Sequence, residues 1–320
     1  MKRRGFIGLL GGTAAAWAAA AWAQQRDRTR HIGFLGPERR LKKLQQGLGD
    51  LGYVEDRDIV VEYRPSDRPD RLSGFAAELV ALKVDVIVAS GSLAVRAAQQ
   101  ATRSIPIVMT GTSDPVGSGF VSSLAHPAGN ITGMSLQNPE LSGKRLEFLK
   151  RLVAGLSSVA VLSNPDDPPV VFSLRETKEA AQALGLELQS AEARKPEDFE
   201  GAFASVTRMQ PGALLILPGS IMTRNAERIA EFALKSRIPA MSYFREFPEA
   251  GGLISYGPNL GESSRHAAIY VDKILKGASP ADLPVQQPTK FELVINIKTA
   301  TAIGFDVPPS ILSHADEVIE

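Results

Sequence analysis

Cysteine is missing from this 320-residue chain, and aromatic residues make up only 6% of it. The absence of cysteine excludes disulfides, thiol nucleophiles, thiolate zinc sites and iron–sulfur clusters. The chain has only 4 histidines, and they stand far apart without the spacing of metal ligands. We therefore expect neither a metal site nor a bound cofactor.

The chain also has no large excess of positive or negative charge. It contains 36 lysines and arginines and 35 aspartates and glutamates, which give a formal net charge of +1. Proteins that bind nucleic acid usually carry a basic stripe or a strongly basic domain, so we expect no nucleic acid partner. The sequence has no G-x-S-x-G elbow, Walker loop, H-E-x-x-H or EF-hand motif, which counts against several common enzyme classes. The length predicts about two domains.

Residues 1–23 have the composition of an export signal. A basic start, Lys2-Arg3-Arg4, precedes an apolar run at 6–20 and the small-x-small sequence Ala21-Trp22-Ala23. This pattern predicts a cleaved bacterial signal peptide and a periplasmic location. The arginine pair also fits twin-arginine export, so this route and the general secretory route both stay open. No later stretch of the sequence is apolar and long enough to span a bilayer.

The remaining sequence alternates short apolar segments with amphipathic ones. The continuous apolar runs at 84–89 and 107–110 predict buried strands, and leucines spaced three and four residues apart over 41–51 predict a helix. Repeated units of this kind predict parallel sheets covered by helices on both faces. The pattern restarts near Gly133 without a flexible linker. We therefore predict an α/β fold of two doubly wound parallel-sheet lobes, with a hinge and a cleft between them.

Polar residues follow several predicted strands, at the edge where open α/β sheets bind ligands. Hydroxyls and helix N-terminal N–H groups suit a carboxylate there, and an ionised aspartate suits an ammonium group. Capping of the next helix is the alternative for each residue taken singly, and interlobe packing is the alternative for the aromatic residue. The candidate ligand-binding residues are Ser90, Ser92, Thr110, Thr112, Asp114, Asn164, Tyr243 and Arg245.

Long stretches of the chain resemble one family of proteins. These are LGYVEDRDIVVEYR, IPIVMTGTSDPVGSGFVSSLAHPAGNITGMS, REFPEAGGLISYGPNL and AAIYVDKILKGASPADLPVQQPTKFELVINIKTATAIG. In these stretches the sequence resembles the ABC-transporter substrate-binding proteins of the tryptophan/tyrosine type. Asp114-Pro115-Val116 matches the DPV turn of that family, and Arg245-Glu246-Phe247 matches its second-lobe segment. The resemblance implies a type I periplasmic-binding-protein fold that binds its ligand in the cleft, delivers it to an ABC permease in the inner membrane and catalyses nothing.

The restarted pattern and the resemblance together predict the lobe bounds. Lobe 1 takes residues 30–134 plus 257–284, and lobe 2 takes 135–256 plus 285–320. The chain departs from the family at 36–40, where Gly-Pro-Glu-Arg-Arg replaces a longer Ser/Gly-rich loop, and this change alters or enlarges one wall of the cleft.

We predict a monomeric receptor for a small-molecule ligand, either a small amino acid or an aromatic or other carboxylate. An exported ligand sensor with the same fold and a periplasmic α/β enzyme are the alternatives.

Overall fold

The computed structural model describes residues 29–66, 68–136 and 141–320, so the predicted signal peptide lies outside the described residues. The strands are β1 (Arg30–Gly36), β2 (Ile59–Pro65), β3 (Val86–Ser90), β4 (Ile107–Thr112), β5 (Ile131–Ser135), β6 (Ser158–Ser163), β7 (Glu187–Glu192), β8 (Ala213–Ile216), β9 (Ala240–Ser242), β10 (Ile254–Pro258), β11 (Phe291–Asn296) and β12 (Glu317–Ile319). The helices are α1 (Glu38–Asp50), α2 (Leu72–Ala81), α3 (Ser92–Ala101), α4 (Ser142–Leu152), α5 (Pro168–Leu184), α6 (Phe199–Met209), α7 (Ser220–Arg224), α8 (Ala226–Lys235), α9 (Glu246–Glu249), α10 (Leu260–Leu275), α11 (Ile297–Ala302) and α12 (Pro309–Leu312). No helix among these residues combines the length and the apolar character needed to cross a membrane.

The strands form two separate sheets. The first has five strands in the order β2-β1-β3-β4-β5, and the second has seven in the order β12-β11-β10-β9-β8-β6-β7. Strand β3 is covered on both of its faces, as is typical of a parallel sheet. Its residues Val86 and Val88 pack into one apolar cluster, while Ile87 packs into another on the opposite face. The predicted α/β fold class of two parallel-sheet lobes is confirmed.

One strand departs from the predicted parallel pairing. Strand β11 pairs antiparallel with β10, with Ser255 opposite Val294. The chain leaves the second sheet along β10, forms α10 against α1 and β4 of the first sheet, and then returns along β11. Because the return starts from the end that β10 has reached, the two strands run in opposite directions.

We call the bodies around the five-stranded and seven-stranded sheets the first and second lobe. Three chain segments connect them, namely 136–141, the junction between β10 and α10, and the stretch from α10 to β11. The stretch from α10 to β11 runs beside the last residues of β5, since the Ser135 N–H donates to the Gln286 carbonyl at 2.9 Å and the Gln286 N–H donates to that of Gly133 at 3.0 Å. The break between β5 and β6 and the packing of α10 support the predicted lobe bounds, which remain a proposal.

Glycine is required at Gly133 in this hinge. Its φ is +129°, and a Cβ atom there would collide with the carbonyl oxygen of Met109 on β4. The backbones of β4 and β5 therefore approach closely at the point where the chain leaves the first lobe.

Candidate functional site

A cavity of about 300 Å³ lies between the two lobes, and we call it the cleft cavity. From the first lobe it is lined by the start of α1, the ends of β2, β3 and β4, and the start of α3. From the second lobe it is lined by Asp167, the segment 218–220, helix α7 and Phe244. The carboxyl ends of parallel strands meet at this place, which is where open α/β sheets bind ligands.

Two of the predicted residues lie together in the first-lobe wall. Ser90 ends β3 and Ser92 begins α3, and both line the cleft cavity. Gly91 between them has a φ of +91°, which favours glycine and turns the chain sharply from strand to helix. This turn brings the first N–H groups of α3 to the cavity, where they can donate to an anion.

A buried arginine, which the sequence prediction did not include, completes this wall. Arg40 lies in the first turn of α1 and lines the cleft cavity. Only 8% of the residue is exposed to solvent. Its Nη1 lies 3.2 Å from Ser90 Oγ. Burial lowers the pKa of Arg40 to about 10, against the raising effect of Glu246, so the side chain stays a cation at neutral pH.

Ion pairs cross from this wall to the second lobe. The carboxylate oxygen Oε1 of Glu246 lies 3.0 Å from Arg39 Nη2 and 3.7 Å from Arg40 Nη2. A weaker link joins Arg224 of α7 to the first lobe, since its Nη1 lies 3.4 Å from the Ser66 carbonyl oxygen. The lobes therefore contact one another through charged and polar groups around the cleft cavity.

The second-lobe wall carries a buried carboxylate. Asp167 directly precedes α5, is 7% exposed and lines the cleft cavity. Burial raises its pKa to about 6, although the Ser220 N–H and the charge of Arg224 act in the opposite direction. Among the described residues its Oδ1 has no hydrogen-bond partner. This oxygen can accept a hydrogen bond from a ligand donor.

The threonines at the end of β4 do not line the cleft cavity as predicted. Thr110 and Thr112 are both 0% exposed, whereas Gly111 and Ser113 contribute to the cavity wall. The register of β4 against β5 shifts between Met109 and Thr112, and Gly111 has a φ of +75°, so the strand does not alternate regularly at its end. The two threonines therefore lie behind the cavity wall, and their predicted role in ligand binding stays a prediction.

Asp114 and Asn164 also lie outside the cavity wall, because each bonds within its own turn. The Oδ1 of Asp114 accepts a hydrogen bond from the Gly117 N–H at 2.8 Å. The Oδ1 of Asn164 accepts one from the Asp166 N–H at 3.0 Å. Both are short-range bonds from a backbone N–H to a side-chain oxygen, the type of contact that helix capping, the alternative for each residue, also uses.

Tyr243 and Arg245 belong to the second lobe's own packing. Tyr243 is 1% exposed, its hydroxyl lies 3.1 Å from Ser142 Oγ, and the guanidinium carbon of Arg145 stands 3.1 Å from its ring centroid. Arg245 pairs with Glu249, Glu292 and Glu317 at 2.7, 3.2 and 2.6 Å. The aromatic rings in the cavity wall are instead those of Phe244 and Tyr63.

This architecture is that of a two-lobed binding protein of the type I periplasmic-binding-protein fold. The chain belongs to the family of ABC transporter substrate binding proteins, whose model matches residues 37–319. The resemblance seen in the sequence is thereby confirmed.

Individual relatives agree with this placement. A tyrosine-binding protein of Clostridioides difficile (strain R20291) is 26% identical over 261 residues, which are 81% of this chain and 74% of that protein. The solved structure of a conserved domain protein from Vibrio cholerae O1 biovar El Tor str. N16961 has 26% identity and a TM-score of 0.86, with 91% of this chain and 100% of that one covered. An ABC domain from Streptococcus pneumonia in complex with L-Trp has 24% identity and a TM-score of 0.85 at the same coverage, which shows a shared fold.

Proposed function

We propose that this protein is the periplasmic receptor of an ABC importer and that it binds an amino acid in the cleft cavity. The observation that carries the proposal is a pair of buried opposite charges on facing walls, Arg40 in the first lobe and Asp167 in the second. Buried charges are costly unless they are paired. A ligand with a carboxylate and an ammonium group supplies a partner for each wall.

The size and lining of the cleft cavity support a ligand of this kind. Its volume of about 300 Å³ stands at the lower end of the range for small-molecule sites, which is about 300–1,000 Å³. Phe244 and Tyr63 give the ligand's side chain an apolar and aromatic surface. A tyrosine-binding relative and a fold neighbour that holds L-Trp are consistent with an aromatic amino acid.

Delivery to a permease follows from the family and from the position of the site. The ligand contacts both lobes, so its binding favours the arrangement in which the lobes meet, and a membrane partner can distinguish that arrangement from an open one. The apolar run and cleavage sequence of residues 1–23 support a location outside the cytoplasm.

The test is a binding screen of the chain that begins at Gln24. Calorimetry and thermal unfolding are measured with L-tyrosine, L-tryptophan and L-leucine, and with glucose as a neutral control. A true ligand at 100 times its Kd stabilises the protein by about 2.7 kcal/mol. Loss of uptake of that amino acid on deletion of the gene then separates an importer from a sensor. Binding of glucose alone, or of none of these compounds, contradicts the proposal.

A further inference from the structure

The guanidinium of Arg40 lies over the ends of β3 and β4, in the first-lobe wall of the cleft cavity. Its Nη1 is within hydrogen-bond distance of Ser90 Oγ, at the end of β3. A Cβ atom on Gly111, near the end of β4, would stand only 2.9 Å from the same Nη1. A side chain at position 111 would therefore crowd the guanidinium, which the first turn of α1 presents at this point.

The protein itself satisfies this guanidinium only in part. A guanidinium carries five N–H donors, and among the described residues it makes one hydrogen bond, to Ser90 Oγ. Its Nε is buried and lacks any partner in the part of the chain that the structure describes. A buried cation with unused donors needs an acceptor, and the Arg40 residue lines the cleft cavity.

The charge balance around Arg40 leads to the same conclusion. Glu246 offers one carboxylate to two arginines, and Arg39 is the nearer of them at 3.0 Å against 3.7 Å. The side chain of Arg39 is 48% exposed, so water also solvates it, whereas that of Arg40 is only 9% exposed. The deficit of negative charge therefore falls on the buried arginine.

We propose that Arg40 is the specificity-determining residue that binds the ligand's carboxylate, and that a forked contact through Nε and an Nη selects an acid over its amide. This inference rests on the proposed function. Helix α3 and Ser92 then act as additional donors to the same group. Arginine suits the role because its planar donors match a carboxylate in pairs, which lysine cannot do.

The test compares L-tyrosine with L-tyrosinamide, which lacks only the carboxylate charge. Calorimetry on the wild type is expected to give a preference for the acid of about 10- to 100-fold. Arg40→Gln is expected to remove that preference. Arg39→Gln is the matched control, because it removes the neighbouring guanidinium that pairs with the same Glu246, and it is expected to keep the preference.

A second measurement needs only the conservative variant Arg40→Lys, which keeps the positive charge and serves to assign one signal. In nitrogen-15 NMR of the arginine Nε–H groups, tyrosine is expected to shift the one signal that is lost in Arg40→Lys, while tyrosinamide leaves it in place. If Arg40→Gln keeps the full preference for the acid, or if that Nε signal does not respond, the inference is overturned and the receptor function stands. If the wild type binds neither compound, the inference is overturned, whereas the receptor function fails only if L-tryptophan and L-leucine do not bind either.

Discussion

The first-lobe wall of the cleft cavity presents donors, whereas the second-lobe wall presents an acceptor, and the two are supported differently. Arg40 takes its ion-pair partner, Glu246, from the opposite lobe. Asp167 has its electrostatic neighbours, the Ser220 N–H and Arg224, within its own lobe. The surroundings of the donor wall therefore change when the lobes separate, while those of the acceptor wall persist.

This contrast means that the two walls contribute to recognition at different stages. Under the proposed function, the second lobe can bind an ammonium group before the lobes meet, because Asp167, Ser220 and Arg224 all belong to that lobe. The first lobe acquires its full charge environment only in the closed arrangement. Each prediction below alters one wall and leaves the other intact.

The largest effect is expected from Asp167→Asn. Loss of a charge-assisted hydrogen bond is expected to weaken amino acid binding about 10- to 100-fold. The deaminated analogue hydroxyphenylpropionate should bind unchanged or more tightly, since it has no ammonium group. Calorimetry with both ligands measures the difference.

Asp166 supplies the matched control for this variant. It is adjacent in sequence, but its side chain is 66% exposed and pairs with Arg194 at 3.3 Å. Asp166→Asn should therefore leave both affinities within about twofold, as expected for a screened surface pair. Equal losses in the two variants would argue against a direct contact by Asp167.

The pH dependence of binding should reveal the same carboxylate. Burial raises the pKa of Asp167 to about 6, so the ligand-free protein is stabilised as pH falls through that value. A bound ammonium group favours the ionised form, and hence the affinity for an amino acid should fall as the group protonates. The expected loss is about tenfold per pH unit well below the pKa of the ligand-free site. Asp167→Asn should abolish this dependence, and a wild-type affinity that is flat from about pH 7 to about pH 5 would contradict it.

A smaller effect is expected from Glu246→Gln, which removes the acidic partner shared by Arg39 and Arg40. A partly exposed ion pair contributes about 0.2–1 kcal/mol, or up to about fivefold in the ratio of closed to open forms. Small-angle scattering of the ligand-free protein should then give a larger radius of gyration. Glu249→Gln is the control, because Glu249 lies on the same helix but pairs with Arg245 inside the second lobe. An unchanged radius in Glu246→Gln would show that the interlobe pair does not favour closure.

The fold is largely predictable because apolar strands and amphipathic helices are local patterns. The runs at 84–89 and 107–110 coincide with β3 and β4. Strand direction is not a local property, so the antiparallel pairing of β11 was missed. Strand β12 was missed too, because it is only three residues long and mostly exposed.

The site is less predictable because it depends on which way each side chain points. Ser90 and Ser92 can be placed at the cavity wall from the sequence because a strand end and a helix start coincide there. Arg40 resembles any charged residue in the first turn of a helix, and only the fold shows that it is buried against Ser90 and Glu246. Asp167 differs from Asp166 by a single position, and the turn before α5 decides which one faces the cleft cavity.

The smallest effect is expected from Asp114→Asn, although Asp114 is the family-matched aspartate nearest to the predicted strand ends. Its Oδ1 accepts a hydrogen bond from the Gly117 N–H at 2.8 Å, and an asparagine oxygen can accept the same bond. Asparagine also caps helices and turns about as well as aspartate. Asp114→Asn should therefore change stability by less than about 0.5 kcal/mol and leave the affinities for tyrosine and hydroxyphenylpropionate nearly equal to those of the wild type. A loss of about tenfold for tyrosine alone would instead move the ammonium contact from the second-lobe wall to the first, and the separation of donor and acceptor between the two walls would no longer hold.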